Sequence, residues 1–170
     1  MTVYVTGHKN PDTDSVTAAI AYAELLKANG QDAIASMQGA MNPETETVLK
    51  RFDMAAPEIM TDAAGKTVAL VDHSDLNQAP DNINADNVVA IVDHHKIGDV
   101  TTNNPIFCCV KPVGCTGTVL KQLYDTEGVA VDPKVAGLML SAILSDTVNF
   151  KSPTCTEEDK KAVAELKEIA

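Results

Sequence analysis

Three short apolar runs that each end in histidine constrain the fold of this chain more than any other feature. The runs are Thr2–His8, Val68–His73 and Val88–His95. β-Branched runs of this length, separated by segments of helical periodicity, are typical of buried strands in a parallel sheet. Ligands of such sheets bind beyond the carboxyl ends of the strands. The sequence therefore predicts that histidine and aspartate side chains meet at one edge of a sheet.

Strand and helix patterns alternate along the chain and predict an α/β fold. We expect strands at 2–6, 32–36, 67–71, 88–92 and 106–110, the last of them at an edge. Helical patterns occur at 16–29, 43–51, 114–125 and 133–146, and a charged helix begins at Glu157. The predicted architecture is a doubly wound, mainly parallel five-stranded sheet with helices on both faces.

The length of the chain sets its expected domain organisation. It has 170 residues, of which 45% are hydrophobic, and this is enough for one domain with a buried core. We expect residues 1–150 to form the catalytic, metal-binding domain. Ser152-Pro153 interrupts the pattern, so residues 151–170 are expected to be a linker and a terminal helix leading toward a second domain that is absent from the chain.

Charge and cysteine content argue against several classes of protein. The net charge of −11 disfavours a nucleic-acid partner, because nucleic-acid binders carry Lys/Arg patches that displace counterions. No window approaches the roughly 18 apolar residues of a membrane span, and the N-terminus lacks a leader pattern. The four cysteines have no paired spacing, which favours reduced thiols in a cytoplasmic protein over a zinc–thiolate site.

The loop after the first strand carries three potential metal ligands, His8, Asp12 and Asp14. A purely structural alternative is that Asp12, Asp14 or Ser15 caps the following helix. Only one residue can cap, so this alternative leaves His8 and at least one carboxylate without a role. We therefore interpret the cluster as part of a metal site.

Further candidates stand at the later strand ends and on one helix. Asp72 ends the third strand, although a lone aspartate at such a position is common in loops. In Asp93-His94-His95 the adjacent imidazoles point in different directions, so one can ligate a metal while the other faces substrate. Asp93 can hold an imidazole in one tautomer. Asp146 continues the apolar face of its helix, where a carboxylate must be paired, hydrogen-bonded or metal-bound unless it only caps the helix end.

Together these positions give six candidate metal ligands, in which oxygen dominates and sulfur is absent. They are His8, Asp12, Asp14, Asp72, His94 and Asp146. Such a set fits two divalent ions that share bridging carboxylates, an arrangement that activates a water and clamps the oxygens of a phosphoryl displacement. Oxygen-rich sites with some imidazole suit Mn²⁺ or Co²⁺, with Mg²⁺ as a possible substitute.

These motifs resemble those of the manganese-dependent family II inorganic pyrophosphatases of the DHH phosphoesterase superfamily. The matching segments are Gly7–Ser15, Gly39–Thr45, Val71–His73, Asp93–His95, Val113–Thr116 and Leu144–Thr147. The resemblance implies hydrolysis of inorganic pyrophosphate to two phosphates by a metal-activated hydroxide, at a dinuclear site with two Mn²⁺ per chain. It also implies a cytoplasmic homodimer joined along the edge strand near Ile106–Val110, which carries no protecting charge before Lys111.

The resemblance also assigns roles to individual residues. It implies that His8 and Asp12 bind the first metal, that Asp14 and His94 bind the second, and that Asp72 and Asp146 bridge or approach both. It implies that His95 is catalytic and donates a hydrogen bond to the substrate phosphate, with Asp93 behind it. His73 has no clear role in the family and is expected to support a ligand.

The chain departs from this family in one respect. Family members hold pyrophosphate with a C-terminal substrate-binding domain that carries a Ser-Arg-Lys motif and a further lysine. No such motif occurs in these 170 residues, so hydrolysis by this chain is expected to be impaired.

Two other functions stay open, a DHH-type phosphodiesterase acting on short oligonucleotides and an inactive metal-binding or dimerisation module. The negative charge disfavours the phosphodiesterase, as do the few aromatic residues available for base stacking, which are three Phe, three Tyr and no Trp. The missing substrate motif is what keeps the inactive module under consideration.

Overall fold

The computed structural model describes residues 1–170, which form six strands and five α-helices. The strands are β1 (Val3–Thr6), β2 (Ala33–Met37), β3 (Glu58–Ile59), β4 (Thr67–Val71), β5 (Val88–Asp93) and β6 (Phe107–Val110). The α-helices are α1 (Thr13–Ala28), α2 (Pro43–Arg51), α3 (Thr116–Glu127), α4 (Pro133–Asp146) and α5 (Glu157–Ile169). A short 3₁₀ turn, Leu76–Gln78, lies between β4 and β5.

All six strands are parallel and form one sheet in the order β3-β2-β1-β4-β5-β6. The chain builds the sheet outward from β1 in one direction and then from β4 in the other, which is the doubly wound arrangement. Ligands of such folds bind at the switch point between the two halves, outside the carboxyl ends of the adjacent strands. Here those strands are β1 and β4, so the residues after Thr6 and Val71 border the expected crevice.

The predicted α/β fold and parallel sheet are confirmed, with one strand more than expected. The additional strand, β3, has only two residues, both exposed, and it pairs with Ser36 and Met37 at the end of β2. Two exposed residues are too few to show a hydrophobic period, so this strand could not be predicted from the sequence. The strand predicted near residue 106 is β6, and it lies at the opposite edge of the sheet as expected.

The main core lies between one face of the sheet and the helices. Val5 and Val71 project from β1 and β4 into this cluster, while Leu120 and Leu166 reach it from α3 and α5. Helix α5 is therefore packed into the same core as the sheet, although its sequence is highly charged. No helix combines the length and the apolar character needed to cross a membrane.

A smaller apolar cluster covers the other face of the sheet. Val68 and Leu70 of β4 pack there against the loop residues Ala63, Ile83 and Val100. We expected a helix in this layer. The connecting segments on this side are instead rich in Asn, Asp and Gly, whose side chains or freedom of φ favour turns over helix.

Each α-helix begins with a side chain that accepts a hydrogen bond from a backbone N–H of its first turn. These caps are Asp12, Asn42, Cys115, Asp132 and Thr156. Of these caps, Asp12 is itself a candidate metal ligand, and Cys115 lies beside the candidates Asp14 and Asp146. The contacts that start α1 and α3 therefore also fix part of the site.

Candidate metal centre

The structure brings all six candidate ligands together at the carboxyl edge of the sheet. His8 follows β1, Asp72 follows β4, His94 follows β5, Asp12 and Asp14 lie at the start of α1, and Asp146 ends α4. Their side chains form two groups that share one residue. The first group is His8, Asp12 and Asp72, and the second is His94, Asp14, Asp146 and Asp72.

The first group surrounds the imidazole of His8. Its Nε2 lies 3.5 Å from Oδ2 of Asp12 and 3.3 Å from Oδ2 of Asp72. Asp12 is also the N-cap of α1, because its Oδ1 accepts a hydrogen bond of 2.9 Å from the backbone N–H of Ser15. The capping role and the candidate ligand role of Asp12 therefore use different oxygens and do not compete.

The second group surrounds the imidazole of His94. Its Nε2 lies 3.4 Å from Oδ1 of Asp72, 3.8 Å from Oδ2 of Asp146 and 3.9 Å from Oδ2 of Asp14. Asp146 and Asp14 also lie close to each other, since their carboxylate oxygens and the Sγ of Cys115 are all within 4.8 Å of one another. These contacts place Asp146 in the second group.

Asp72 is the residue that joins the groups. One of its oxygens faces His8 and the other faces His94, and its side chain is only 2% exposed. Its backbone φ of 63° lies in the left-handed region, which aspartate tolerates better than most residues. A buried carboxylate with one oxygen toward each of two ligand sets has the arrangement of a bridging ligand.

Backbone carbonyls orient both imidazoles. Nδ1 of His8 lies 2.7 Å from the carbonyl oxygen of Lys9, and Nδ1 of His94 lies 3.0 Å from that of Val113. When Nδ1 donates to a carbonyl, Nε2 is left as the lone-pair nitrogen that can bind a metal. In both residues Nε2 is the atom that faces the carboxylates.

The N-terminus of α3 holds the carboxylate of Asp14. The backbone N–H groups of Thr116 and Gly117 donate to its two oxygens at 2.8 and 3.1 Å, and the hydroxyl of Thr116 donates to Oδ1 of Asp72 at 3.0 Å. A helix N-terminus stabilises negative charge. Val113–Thr116 resembles a family motif, but its sequence alone did not indicate that it takes part in the site.

Cys115 is a second neighbour that the sequence analysis missed. Its thiol is fully buried beside Asp14 and Asp146, and its Sγ accepts a hydrogen bond of 3.3 Å from the N–H of Gly117. Burial, followed by the negative charge of Asp14, raises the pKa of this thiol well above its usual range. Cys115 is thus a neutral thiol that caps α3.

His95 and Asp93 form a pair beside the two groups. Nδ1 of His95 donates to Oδ1 of Asp93 at 2.8 Å, and the same oxygen accepts from the backbone N–H groups of His94 and His95. Asp93 is fully buried, whereas the side chain of His95 is half exposed. The contact with Asp93 raises the pKa of His95. Nε2 of this ring is left to meet a ligand from solvent.

A polar cavity of about 180 Å³ adjoins the first group. His95, Lys96 and His73 are among the residues that line it, together with His8 and Asp72. The ring of His73 is buried, donates through Nδ1 to the carbonyl of Val71 at 2.8 Å and packs edge-to-face against His8, with ring centroids 6.5 Å apart. His73 therefore packs against His8, and its role in supporting this ligand stays a prediction.

The pKa values of the site residues reflect the close approach of the carboxylates to one another. Burial and the charges of Asp72 and Asp146 raise the pKa of Asp14 well above its usual range. Burial and the charge of Asp72 raise the pKa of Asp146 to about 6. Burial alone lowers the pKa of both histidines, but their contacts with carboxylates outweigh it. Asp12 and Asp72 raise the pKa of His8 to about 11. Asp72, with a smaller contribution from Asp146, raises the pKa of His94 to about 9.

The donor set fits divalent cations. Four carboxylates converge at this edge, and their ion-pair partners are imidazoles, not lysine or arginine side chains. Buried like charges repel strongly, and a bound cation removes that repulsion. Mixed carboxylate and imidazole donors are suited to Mn²⁺ and its neighbours in the first transition series.

Comparison with known proteins places the chain in a family. Residues 2–143 match the profile of the DHH family, N-terminal domain. The chain belongs to the DHH family. This result confirms membership of the DHH group, which the sequence motifs predicted.

Relatives of this DHH domain carry a consistent name. A manganese-dependent inorganic pyrophosphatase from Methanothrix thermoacetophila is 51% identical over 168 residues, which cover 98% of this chain and 54% of the relative. A solved structure from Methanococcus jannaschii, assigned as a family II inorganic pyrophosphatase, superposes with a TM-score of 0.92 at 45% identity and covers 99% of this chain and 56% of that one. The DHH domain thus spans about half the length of the relatives it matches.

A more distant structure shares only the fold. An exopolyphosphatase-related protein from Bacteroides fragilis has a TM-score of 0.80 at 15% identity, covering 98% of this chain and 52% of that one.

Proposed function

We propose that this DHH domain hydrolyses inorganic pyrophosphate to two phosphates at a site for two Mn²⁺ ions. The observation that carries the proposal is the position of Asp72, which offers one oxygen to each of two carboxylate–imidazole groups. The names of the relatives support the substrate and the metal. Co²⁺ and Mg²⁺ are the substitutes that the donor set would accept.

The proposed ligands divide between the two groups. His8 and Asp12 would hold one ion, His94, Asp14 and Asp146 the other, and Asp72 both. When bound, the metal lowers the pKa of a coordinated water and neutralises phosphoryl oxygens. The domain itself contributes the fixed orientation of the two imidazoles and the burial of Asp14 and Asp72, so that the ligands are preorganised.

His95 is proposed to face the substrate. Its Nδ1 is held by Asp93, and its Nε2 can donate to a phosphate oxygen at the edge of the cavity. Asp93 would fix the ring and favour its protonated form, since the pair raises the pKa of His95. A cationic donor aimed at developing negative charge stabilises the transition state.

Exchange of His95 for glutamine is expected to separate hydrolysis from metal binding. His95→Gln should retain both Mn²⁺ ions but slow phosphate release by about 100-fold or more, because a positioned proton donor is lost. The matched variant is His94→Gln, which removes an adjacent and chemically identical side chain and should lose metal. Metal content by atomic absorption and phosphate release by a colorimetric assay measure the two properties. If His95→Gln loses metal and His94→Gln retains it, the roles of the imidazoles are reversed.

Metal binding is expected to release protons. With a pKa of about 11 for His8 and about 9 for His94, both imidazoles are protonated at neutral pH in the metal-free domain. A ligating imidazole must be neutral, so Mn²⁺ displaces these protons, and its apparent affinity should rise as the pH increases from 6 toward about 9. Calorimetric titrations in buffers of different ionisation enthalpy count the protons. An affinity that stays constant across this pH range would contradict the ligand assignment.

One assay distinguishes the proposed function from its alternatives. Phosphate release from pyrophosphate in the presence of Mn²⁺ is compared with hydrolysis of a dinucleotide under the same conditions. Activity on pyrophosphate alone supports the proposal, and activity on the dinucleotide alone supports a phosphodiesterase. Binding of Mn²⁺ without either activity, even after these residues are fused to the remaining part of a longer relative, would identify a metal-binding module.

We also propose that two copies of the domain associate through β6. This strand pairs only with β5, so its other edge has unpaired backbone groups, and Phe107 on it is 45% exposed. An open edge of this kind can pair with a second copy. Sedimentation equilibrium at micromolar concentration should give the mass of a dimer, and a monomer mass with and without Mn²⁺ would refute this part of the proposal.

The proposed setting is the cytoplasm. All four cysteines are free, including Cys108 and Cys109, which are adjacent on β6. Free thiols are typical of a reducing compartment. Within the chain, residues 1–150 are proposed to supply the metal ligands, and residues 151–170, whose helix α5 packs into the same core, are proposed to lead on to a substrate-binding domain.

A further inference from the structure

One loop contacts three of the six proposed ligands directly. We call Val113–Gly117, which comprises the turn before α3 and the first two residues of that helix, the frame loop. The carbonyl of Val113 accepts from His94, the hydroxyl of Thr116 donates to Asp72, and the N–H groups of Thr116 and Gly117 donate to Asp14. The frame loop therefore sets the orientation of most of the second group and of the residue that both groups share.

Asp159, on the first turn of α5, holds the frame loop in place. Its carboxylate is fully buried and accepts from the N–H of Gly114 through both oxygens, at 3.1 and 2.9 Å, and from the hydroxyl of Thr118 at 2.6 Å. Gly114 packs so closely against Asp159 and Thr147 that a larger residue would not fit there. A Cβ at position 114 would lie 2.9 Å from Oδ2 of Asp159 and 2.8 Å from the side chain of Thr147.

These contacts exceed what the start of a helix requires. Asp159 also completes a capping box with Thr156, whose N–H and hydroxyl donate to Oδ2 at 2.7 and 2.8 Å. A capping box needs only the bond from the N–H of Thr156 to the carboxylate of Asp159 and the return bond from the N–H of Asp159 to Oγ1 of Thr156. The bonds from Gly114 and Thr118 reach a segment more than 40 residues away in the chain and link α5 to the frame loop.

From this geometry we infer that Asp159 is a positioning residue of the metal centre, acting through the frame loop on His94, Asp14 and Asp72. The inference rests on the proposed function only for the identity of the bound ions. A buried carboxylate with this many donors is held firmly in position, because moving it would leave buried polar groups without hydrogen-bond partners, which is costly. Movement at this point displaces the groups that orient three ligands.

The variant Asp159→Asn tests the inference. Asparagine keeps the size of the side chain but replaces one acceptor oxygen with an NH₂ group, so it cannot accept from Gly114, Thr118 and Thr156 together. We expect one of the two Mn²⁺ sites to weaken by about 10–100-fold, the usual effect of removing a partner that orients ligands. Electron paramagnetic resonance of free Mn²⁺ during a titration measures the two affinities separately.

A second readout needs no metal. In the metal-free domain, amide hydrogen exchange at Thr116 and Gly117 should accelerate by about tenfold or more in Asp159→Asn, because the frame loop opens more often. Two control variants should leave these amides protected. Thr156→Ala removes one donor to Asp159 and the cap of α5, but it leaves in place the bonds from Gly114 and Thr118 that link Asp159 to the frame loop. Asp132→Asn makes the same chemical change as Asp159→Asn at the N-cap of α4.

The outcomes separate this inference from the proposed function. Faster exchange at the frame loop together with one weakened Mn²⁺ site, in Asp159→Asn alone, supports the positioning role. Faster exchange with the affinities of the parent would show that Asp159 stabilises only the loop and would overturn the inference. Failure of the parent to bind Mn²⁺ would reject the proposed metal site instead. Unchanged exchange and affinities in Asp159→Asn, or equal changes in Thr156→Ala at the same loss of thermal stability, would overturn the inference.

Discussion

Asp72→Asn should abolish tight binding of manganese at both sites. Asp72 is the residue that faces both His8 and His94, so this one substitution weakens two ligand sets at once. Even a partner that merely orients a ligand contributes about 10–100-fold to metal affinity, so loss of a shared ligand should exceed about 100-fold. Hydrolysis of pyrophosphate should fall to background with it.

The choice of asparagine makes this test specific to the charge. Asparagine has nearly the same shape as aspartate and also tolerates the left-handed backbone that residue 72 adopts, with φ of 63°. The backbone of the site should therefore stay in place. The matched control is Asp53→Asn, which changes an exposed aspartate that pairs with Lys134 outside both groups and should bind manganese like the parent.

Isothermal titration of the two variants gives the decisive comparison. Loss of both binding events in Asp72→Asn, with a folded protein by thermal unfolding, supports the bridging role. Loss of one event would assign Asp72 to a single ion. Parental affinity in Asp72→Asn would mean that this carboxylate is not a ligand.

The six clustered side chains could be predicted from the sequence because their positions follow local rules. His8, Asp72 and His94 each come directly after a buried strand, and the ends of parallel strands meet at one edge of the sheet. Asp146 could be found because it continues the apolar face of α4. Hydrophobic periodicity and the ends of apolar runs depend on residues that are close in the chain, so both can be recognised in a single sequence.

The groups that orient these ligands could not be predicted in the same way. The N–H of Thr116 reaches Asp14 across 102 residues, and the N–H of Gly114 reaches Asp159 across 45. Backbone donors carry no residue-type signal, and contacts at such separations depend on how α3 and α5 pack against the sheet. The resemblance of Val113–Thr116 to a known motif marked the segment, but the motif alone did not indicate which atoms act.

Asp12 shows how one residue can satisfy two interpretations. The sequence offered a helix cap or a metal ligand as alternatives. In the structure one oxygen caps α1 and the other faces His8, because a carboxylate has two oxygens and the helix start lies at the edge of the site.

The loops that cover the second face of the sheet are a place where the prediction was wrong. Their turn-forming residues were visible in the sequence, but parallel strands led us to expect a helix there.

The second large effect concerns turnover by these 170 residues. We expect them to bind manganese but to hydrolyse pyrophosphate poorly. The proposed site is surrounded by carboxylates, and the lysines nearest its motifs are Lys9 and Lys96. Lys9 is already paired with Asp81 at 3.8 Å, whereas Lys96 lines the cavity beside His8. A polyanionic substrate needs several cationic groups to position it and to neutralise its transition state.

Joining the domain to the remaining part of a longer relative should restore turnover. The Methanothrix relative aligns over 54% of its length, so the rest of that protein can be fused after Ala170. Removing one transition-state donor costs about 10²–10³ in rate, so supplying several should raise manganese-dependent phosphate release by at least about 100-fold. The same fusion carrying Asp72→Asn is the control. It should be inactive, because the added part is not expected to hydrolyse pyrophosphate without the bound metals.

Comparing the fusion, its Asp72→Asn form and the 170 residues alone also shows which part binds the metals and which part binds the substrate. If the fusion is active and its Asp72→Asn form is not, the metals reside in the DHH domain and the substrate contacts lie in the added part. Equal activity of the fusion and of the 170 residues alone would show that His95 and Lys96 are sufficient to hold pyrophosphate. In that case bound cations neutralise the carboxylates at this edge well enough that pyrophosphate needs no further cationic side chains.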